Sequence, residues 1–548
     1  MKFTFFANSF FLFLALFLYN GLQAQQEWLI PGQKSTSTLY RYDKSRAVAV
    51  DESGSVYTTG ISENNNNQYN NWAWEIPVKK YSPYGGRVFA AHKNLVPSTW
   101  SSQDEAGFAI GASAKHDRVI VGGYKHIWYF PFLAFFSASS GAYIAEIPFN
   151  YCNGAILNMD VVGDAVYVIG SFNGTLSFGY NLPVLTSVPA KKNIFIAKFD
   201  IASRTLQRVF QVYGDGLMAK DIKADESGNI YFTAITSGMV QFIGVTGVYV
   251  PTASGQREAF ICSVTSAGVV HWAKPASPTF SDPNFNRNFP IGMSVGDESA
   301  TIVVGGNDAN TGSAYIRKYN AGNGASLGQS PAFTGKVIND LTVATCGIHR
   351  IYAVGNEVLS NGAPGFGFMF EFFLNDFNNG GYHYTNDPAI INGVAVDKLG
   401  HPAIAGETPS YINSFSFRGK TVAQTNSHEF AGKFKANNSC CPNRGLSLDG
   451  VNDFAELTFP PDVANYTLEA WAQSTATNTG ACNGEFRTLA AWKNFGKYAI
   501  EVGECAGNLA IKYYYPSAFS STIKMEFSSN HNTGRMASYC CYFRWKQS

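Results

Sequence analysis

Charge is what this sequence has least of. Asp, Glu, Lys and Arg together make up 14% of its 548 residues, against about a quarter in ordinary soluble domains. The formal net charge is +1, so no basic field is present to draw in nucleic acid, and that class of partner is not expected. None of the nine cysteines stands in a Cys-x-x-Cys pair or beside histidines at zinc spacing, which argues against a structural metal site. Catalytic signatures are equally scarce. His428-Glu429 has no second His to complete a zinc-protease helix, and no Gly-x-Ser-x-Gly elbow or phosphate loop stands in a strand-to-helix context. No catalytic residue can be named, and the chain is expected not to be an enzyme. Beyond the N-terminus no apolar run is long enough to span a bilayer.

At the N-terminus itself, Lys2 precedes the apolar stretch Phe10 to Tyr19, and small residues lead to Ala24 before the polar Gln25-Gln26-Glu27. That is the layout of a signal peptide covering residues 1–24. It is too short for a spanning helix, so no transmembrane segment is expected in the mature chain, which is expected to be secreted, extracellular or at the cell surface. In that oxidising setting Cys482 and Cys505 are the first disulfide pair to test.

What is abundant is glycine, 53 residues, and aromatics, at 15%. Glycine accepts the positive φ of tight turns, and aromatics favour pleated, half-buried surfaces. The fold class read from this is all-β. The stretch AVAVDESGSVYTTG from Ala47 is a hairpin signature, with an alternating run, a turn at Asp51, and a second run. It returns as DIKADESGNIYFTA around Asp225 and GVAVDKLGHPAIAG around Asp397, at intervals of 174 and 172 residues. Weaker copies fall between, at Asp117, Asp164, Asp297 and Cys346. Seven copies at about 58 residues each result. Each copy carries a third, aromatic-rich strand, often ending in a basic residue and an aromatic, and most carry a fourth. Four strands per unit is the pattern of a propeller blade; stacked solenoid coils are shorter. The repeated Asp is expected to shape its turn by accepting nearby backbone N–H groups, not to hold calcium or catalyse.

The seventh unit lacks a fourth strand, because Phe434 runs straight into Ala436-Asn437. The mature N-terminus, Glu27-Trp28-Leu29-Ile30-Pro31, is similar to His271-Trp272-Ala273-Lys274-Pro275, an outer strand of the fourth unit. Residues 26–31 are therefore expected to close the last blade of a seven-bladed β-propeller spanning 25–437. The residues Asp225, Gly228, Asn229 and Tyr231 match the Asp-x-x-Gly-Asn-x-Tyr phrase of the SBBP-like propeller repeats of secreted bacterial proteins, which this region resembles.

After a linker at 438–443 the pattern changes. Leu446, Leu448, Asp449, Gly450, Asn452, Asp453 and Phe454, followed by Tyr466-Thr467-Leu468-Glu469-Ala470-Trp471, match two phrases of the laminin G-like, concanavalin A-like lectin/glucanase jelly-roll family, in the right order. The resemblance implies a jelly-roll β-sandwich over 444–548 that binds sugars or proteins, in many members with calcium. Asp449, Asn452 and Asp453 would be its metal-site candidates, although the turn after the first strand explains them as well. No other cofactor is implied. The Glu-x-Asp-x-x-Glu phrase of the related glucanases is missing. About 105 residues are few for such a sandwich, so the domain reads as a truncated fragment. Its tail, 535–548, reads as out of frame: back-translated and shifted by one base it yields EWHHIAATFDGS, as the family carries there, with Met536 forcing Trp and Trp545-Lys546 forcing Gly. The function these resemblances imply is cell adhesion or carbohydrate binding, with an extracellular glycan or protein ligand. The alternative is a polysaccharide-acting propeller enzyme with a lectin-like targeting module.

Overall fold

The computed structural model describes residues 27–436, apart from 32–42, 67–70, 96–104, 126–128, 250–256, 277–289, 295–299, 424–427 and some shorter stretches. Beyond them it describes the backbone of six strands between 469 and 544. The signal peptide, the linker, Asp449, Asn452, Asp453 and Cys482 lie outside the described residues. The chain divides into two compact units, Met1–Pro442 and Asn443–Ser548.

In the first unit, seven sheets follow one another, each with an antiparallel core of four strands. Their innermost strands are Asp43–Val50, Glu105–Ser113, Asn153–Val162, Met218–Ala224, Ile291–Ser294, Lys336–Ala344 and Ile390–Val396. Each repeat located in the sequence is the first hairpin of one sheet. Seven such blades make this unit a seven-bladed β-propeller. No helix occurs among the described residues.

The recurring phrase is a turn with one chemistry. In the first, fourth and seventh blades Gly54, Gly228 and Gly400 donate to the carbonyls of Asp51, Asp225 and Asp397, each at 2.9 Å. Gly54 sits at φ 82° and Gly228 at φ 80°, where a Cβ would be strained. The aspartates fold back as acceptors. Asp51 Oδ1 takes the N–H groups of Ser53 and Ser55, Asp225 Oδ1 that of Asn229, and Asp397 Oδ1 those of Leu399 and His401. Asp117 and Asp164 differ. Asp117 binds Ser137 and Ser139 across the blade, and Asp164 binds Lys115 and His116 of the preceding blade.

The basic residue that ends many third strands ties one blade to the next. Lys80 Nζ donates to Ala138 O, Lys318 Nζ to Leu374 O, and Lys433 Nζ to Gly54 O. Three insertions between second and third strands add hairpins. Val240–Ile243 pairs with the outer strand of the preceding blade, and so does Ser414–Phe417. Edge strands that would otherwise offer unpaired backbone are covered in this way.

Apolar side chains pack chiefly between adjacent blades, with at least one cluster at each junction. The junction of the third and fourth blades is large and includes Ile169, Ile196, Phe210, Ile222, Phe232 and Phe260. That of the seventh and first is small among the described residues, its buried members being Trp28, Val56, Tyr81, Ala403 and Ala431. This junction is also where the ring shuts. Trp28–Pro31 pairs antiparallel with Glu429–Lys433, from Trp28 opposite Lys433 to Pro31 opposite Phe430. Trp28 repeats the role of Trp272. Each indole donates to a carbonyl in the next blade, Pro83 O at 3.1 Å and Ala321 O at 2.8 Å. Each also covers a positive-φ glycine, Gly85 or Gly324, whose Cβ would collide with the ring.

Buried charge supplements the sparse apolar contact there. Lys79 of the first blade pairs with Glu429 of the seventh, both almost fully buried, and Ser45 Oγ donates to the same carboxylate at 3.1 Å. Lys433, held by Asp397 of its own blade at 2.8 Å, is buried as well, whereas Lys44, which pairs with Glu407 across the junction at 3.4 Å, keeps much of its side chain exposed.

Among the described residues the second unit contains two three-stranded antiparallel sheets. In one, Ser538–Arg544 lies between Glu469–Gln473 and Lys524–Ser529; in the other, Tyr498–Cys505 lies between Arg487–Asn494 and Asn508–Tyr514. The segment read as out of frame thus supplies a middle strand.

Two outcomes are expected. Trp28→Ala should cost about 3–5 kcal/mol, and deletion of 25–33 more, both read as a lowered midpoint of thermal unfolding; unchanged melting would contradict the closure. Glu429→Gln should destabilise by about 3–5 kcal/mol by leaving the Lys79 charge buried, while the apolar pair Lys79→Met with Glu429→Leu should recover most of that loss. Chemical denaturation of the three proteins measures both.

Candidate ligand site in the central channel

The innermost strands surround a cavity of about 1150 Å³, and their shape decides what faces it. Six of the seven carry a register shift near the start, between Ser45 and Ala47, Gly107 and Ala109, Ile156 and Asn158, Ala219 and Asp221, Ile338 and Asp340, and Ile391 and Gly393. Such a bulge inserts one unpaired residue and re-aims its side chain. The inserted residues are Arg46, Phe108, Leu157, Lys220, Asn339 and Asn392. All six are half-buried and line the cavity.

Polar side chains next to this ring stitch four blades, the third, fourth, sixth and seventh, to the one that follows. Asp160 Oδ2 accepts from Ala224 N at 2.9 Å, Asp221 Oδ2 from Ile291 N at 2.7 Å, and Asp340 Oδ2 from Val394 N at 2.8 Å. Asn339 Nδ2 donates to Ile391 O at 3.1 Å and Asn392 Nδ2 to Ser45 O at 2.8 Å. The other oxygens of Asp221 and Asp340 accept the next N–H of their own strand. Asp160 also pairs with Lys223 at 3.2 Å.

The electrostatics follow from this burial. Asp221 is pushed up to about 7, with burial the largest cause and Lys223 opposing it. Asp340 is pushed up to about 6, again by burial, against the pull of its backbone donors and Lys223. Burial acts to lower Lys223, but Asp160, Asp221 and Asp340 outweigh it and hold its ammonium above the usual lysine range. Asp160, Asp221 and Asp340 are the acids of the lining; the bases are Arg46, Lys191, Lys192, Lys220 and Lys223. With five bases against three acids, the channel lining is cationic.

None of these residues was singled out from the sequence as a site. A signal was present: in these six copies the inserted residue stands two positions before an apolar one, Val48, Ile110, Met159, Ile222, Leu341 or Val394, and is itself Arg, Phe, Leu, Lys or Asn, a variable position in an otherwise regular phrase. The metal candidates Asp449, Asn452 and Asp453 are outside the described residues. Among the described residues no cluster of three or more His, Cys, Asp or Glu is arranged to hold a metal ion. Cys152 and Cys262 are buried free thiols. No helix among the described residues is long and apolar enough to cross a membrane.

Sheet order and channel together define a seven-bladed β-propeller with a cationic central cavity. No family model matches the sequence, and no curated protein does. Among solved structures the chain is similar to BamB from Moraxella catarrhalis, at 8% identity over 71% of this chain and 85% of that one, with a TM-score of 0.33. It is similar to the WD40 β-propeller domain of Doa1, at 10% identity over 74% and 98%, TM-score 0.33. It is also similar to Sqt1 from Chaetomium thermophilum, at 9% identity over 74% and 98%, TM-score 0.41. The blade count rests on the strand pairing and not on these likenesses.

The raised carboxyls make a pH dependence testable. A carboxyl whose folded pKa lies above its unfolded value contributes stability that is complete below about pH 4 and is lost as pH rises through the folded pKa. For Asp221 the window runs from about pH 4 to about 7. Across it the advantage of the wild type over Asp221→Asn should shrink by an amount on the order of a few kcal/mol. Denaturant melts of both proteins at several pH values measure this; parallel curves would contradict it.

Proposed function

We propose that this protein is a non-catalytic binding or adhesion protein of the cell exterior, secreted or surface-held, in which the propeller is a rigid platform for a carbohydrate or protein ligand. The leader-like N-terminus and the SBBP-like repeats support the location. The laminin G-like phrases at Leu446–Phe454 and Tyr466–Trp471 support a second, jelly-roll ligand module in the Asn443–Ser548 unit, with Asp449, Asn452 and Asp453 as its calcium candidates.

One observation carries the non-catalytic reading of the propeller. Each carboxylate lining the channel accepts a backbone N–H from the next blade, a structural task that ties the group in place. A glycosidase needs two carboxyls placed across a sugar, one to give a proton and one to take it or attack. The competing reading, a polysaccharide-acting propeller enzyme with a lectin-like targeting module, would have to use the same three groups.

Glycan and protein arrays with the mature chain, with and without calcium, run beside a reducing-sugar release assay, separate the two. Binding without sugar release is expected. Sugar release abolished by a single change among Asp160→Asn, Asp221→Asn and Asp340→Asn would overturn the binding reading.

A further inference from the structure

Most charged side chains that line the channel are answered within the protein. Lys223 pairs with Asp160 at 3.2 Å and Lys191 with Asp215 at 2.7 Å, and Lys220 has a partner of its own. Lys192 stands exposed to water. Asp160, Asp221 and Asp340 accept backbone N–H groups of the blade that follows. Arg46 differs. It is half-buried on the bulge of the first blade, and its Nε is buried with no hydrogen-bond partner among the described residues. A guanidinium left so is costly unless something completes it, and its planar fork matches a carboxylate. One unanswered charge calls for one carboxylate.

The neighbours of Arg46 in the bulged ring indicate what carries that carboxylate. On one side the next bulges bear Phe108 and Leu157, which pack into a single apolar cluster and also face the cavity. On the other side stands Asn392, whose Nδ2 donates at 2.8 Å to the carbonyl of Ser45, leaving its Oδ1 and second N–H for a ligand. Three residues beyond the bulge, the first and seventh blades present Ala49 and Ala395 to the cavity, small side chains that leave room. An amide that both donates and accepts matches a peptide backbone, and Leu157 suits an apolar side chain. The C–H face of a sugar is instead drawn to an open, electron-rich aromatic face. Phe108 is half-buried, and the next bulge after it bears leucine.

We infer that the central channel binds a peptide segment of a partner protein in which an acidic side chain stands beside an apolar one. The carboxylate meets Arg46, the apolar side chain meets Phe108 and Leu157, and the peptide backbone meets Asn392. This rests on the binding reading above and names the chemistry of its protein ligand. The cavity, about 1150 Å³, lies just above the range of about 300–1,000 Å³ usual for small-molecule sites and so admits a few residues of chain.

Calorimetric titration of the mature full chain tests the inference. The probes are a blocked pentapeptide with a central glutamate flanked by leucines, its glutamine counterpart, its counterpart with serines in place of the leucines, and a galacturonate trisaccharide. The first should bind at least about tenfold more tightly than each of the others. Arg46→Gln should abolish the preference for glutamate over glutamine, and Leu157→Ser the preference for leucine over serine, each a loss of about tenfold. The exposed Lys398→Gln should change neither. The probe comparisons are made on the wild type and do not depend on any variant folding. Because its Nε has no hydrogen bond to lose, Arg46→Gln should melt no lower than the wild type; a clearly lowered midpoint would give Arg46 a structural role and overturn the assignment. Equal affinity for the glutamate and glutamine peptides, preference for the trisaccharide, or a glutamate preference that survives Arg46→Gln would also overturn it. If glycans or proteins bind without these preferences, the binding function stands and this ligand chemistry fails; if no glycan or protein binds at all, both fail.

Discussion

The seam between the seventh and first blades is the constraint on which the ring depends. A circle of blades is stable only when its last junction is as well satisfied as the others, because an open junction leaves two sheet faces and an outer edge exposed. Here that junction has few buried apolar residues and compensates with a borrowed strand, Trp28–Pro31, and with charge. Lys79 pairs with Glu429 across the seam, and Lys433, held by Asp397 of its own blade, reaches Gly54 O of the first. Buried ion pairs are weak sources of net stability but demand particular partners. At this seam they distinguish the correct closing neighbour from any other blade edge.

The same economy recurs around the ring. Lys80 and Lys318 reach the next blade as Lys433 does, and Asp160, Asp221 and Asp340 reach it from the inner strands. A chain with so few charges uses many of them between blades. The channel's positive character is then a consequence of allocation: its acids are tied to backbone N–H groups, while Arg46 and Lys220 occupy bulge positions.

Much of the propeller was legible because its local chemistry repeats. Alternation marks the strands, and the Asp-x-x-Gly turn has one hydrogen-bond solution that recurs at Asp51, Asp225 and Asp397. The likeness of Glu27–Pro31 to His271–Pro275 was legible for the same reason, since equivalent strands face equivalent neighbours, as Trp28 and Trp272 do. The inserted hairpins Val240–Ile243 and Ser414–Phe417 were not read from the sequence. They lie outside the repeating phrase, and each completes a sheet belonging to the preceding blade. For the Asn443–Ser548 unit, the family resemblance at Leu446–Phe454 falls outside the described residues, and six strands in two sheets are what stands beside it.

The sequence by itself determined the strands, their turns and the number of blades, because those depend on interactions within about a dozen residues. Which side chains meet in the channel was decided only by the tertiary structure. Arg46, Phe108, Leu157, Lys220, Asn339 and Asn392 are spread over most of the propeller and share nothing as residue types. A bulge at the same place in six inner strands, followed by closure of the ring, is what turns them toward one another.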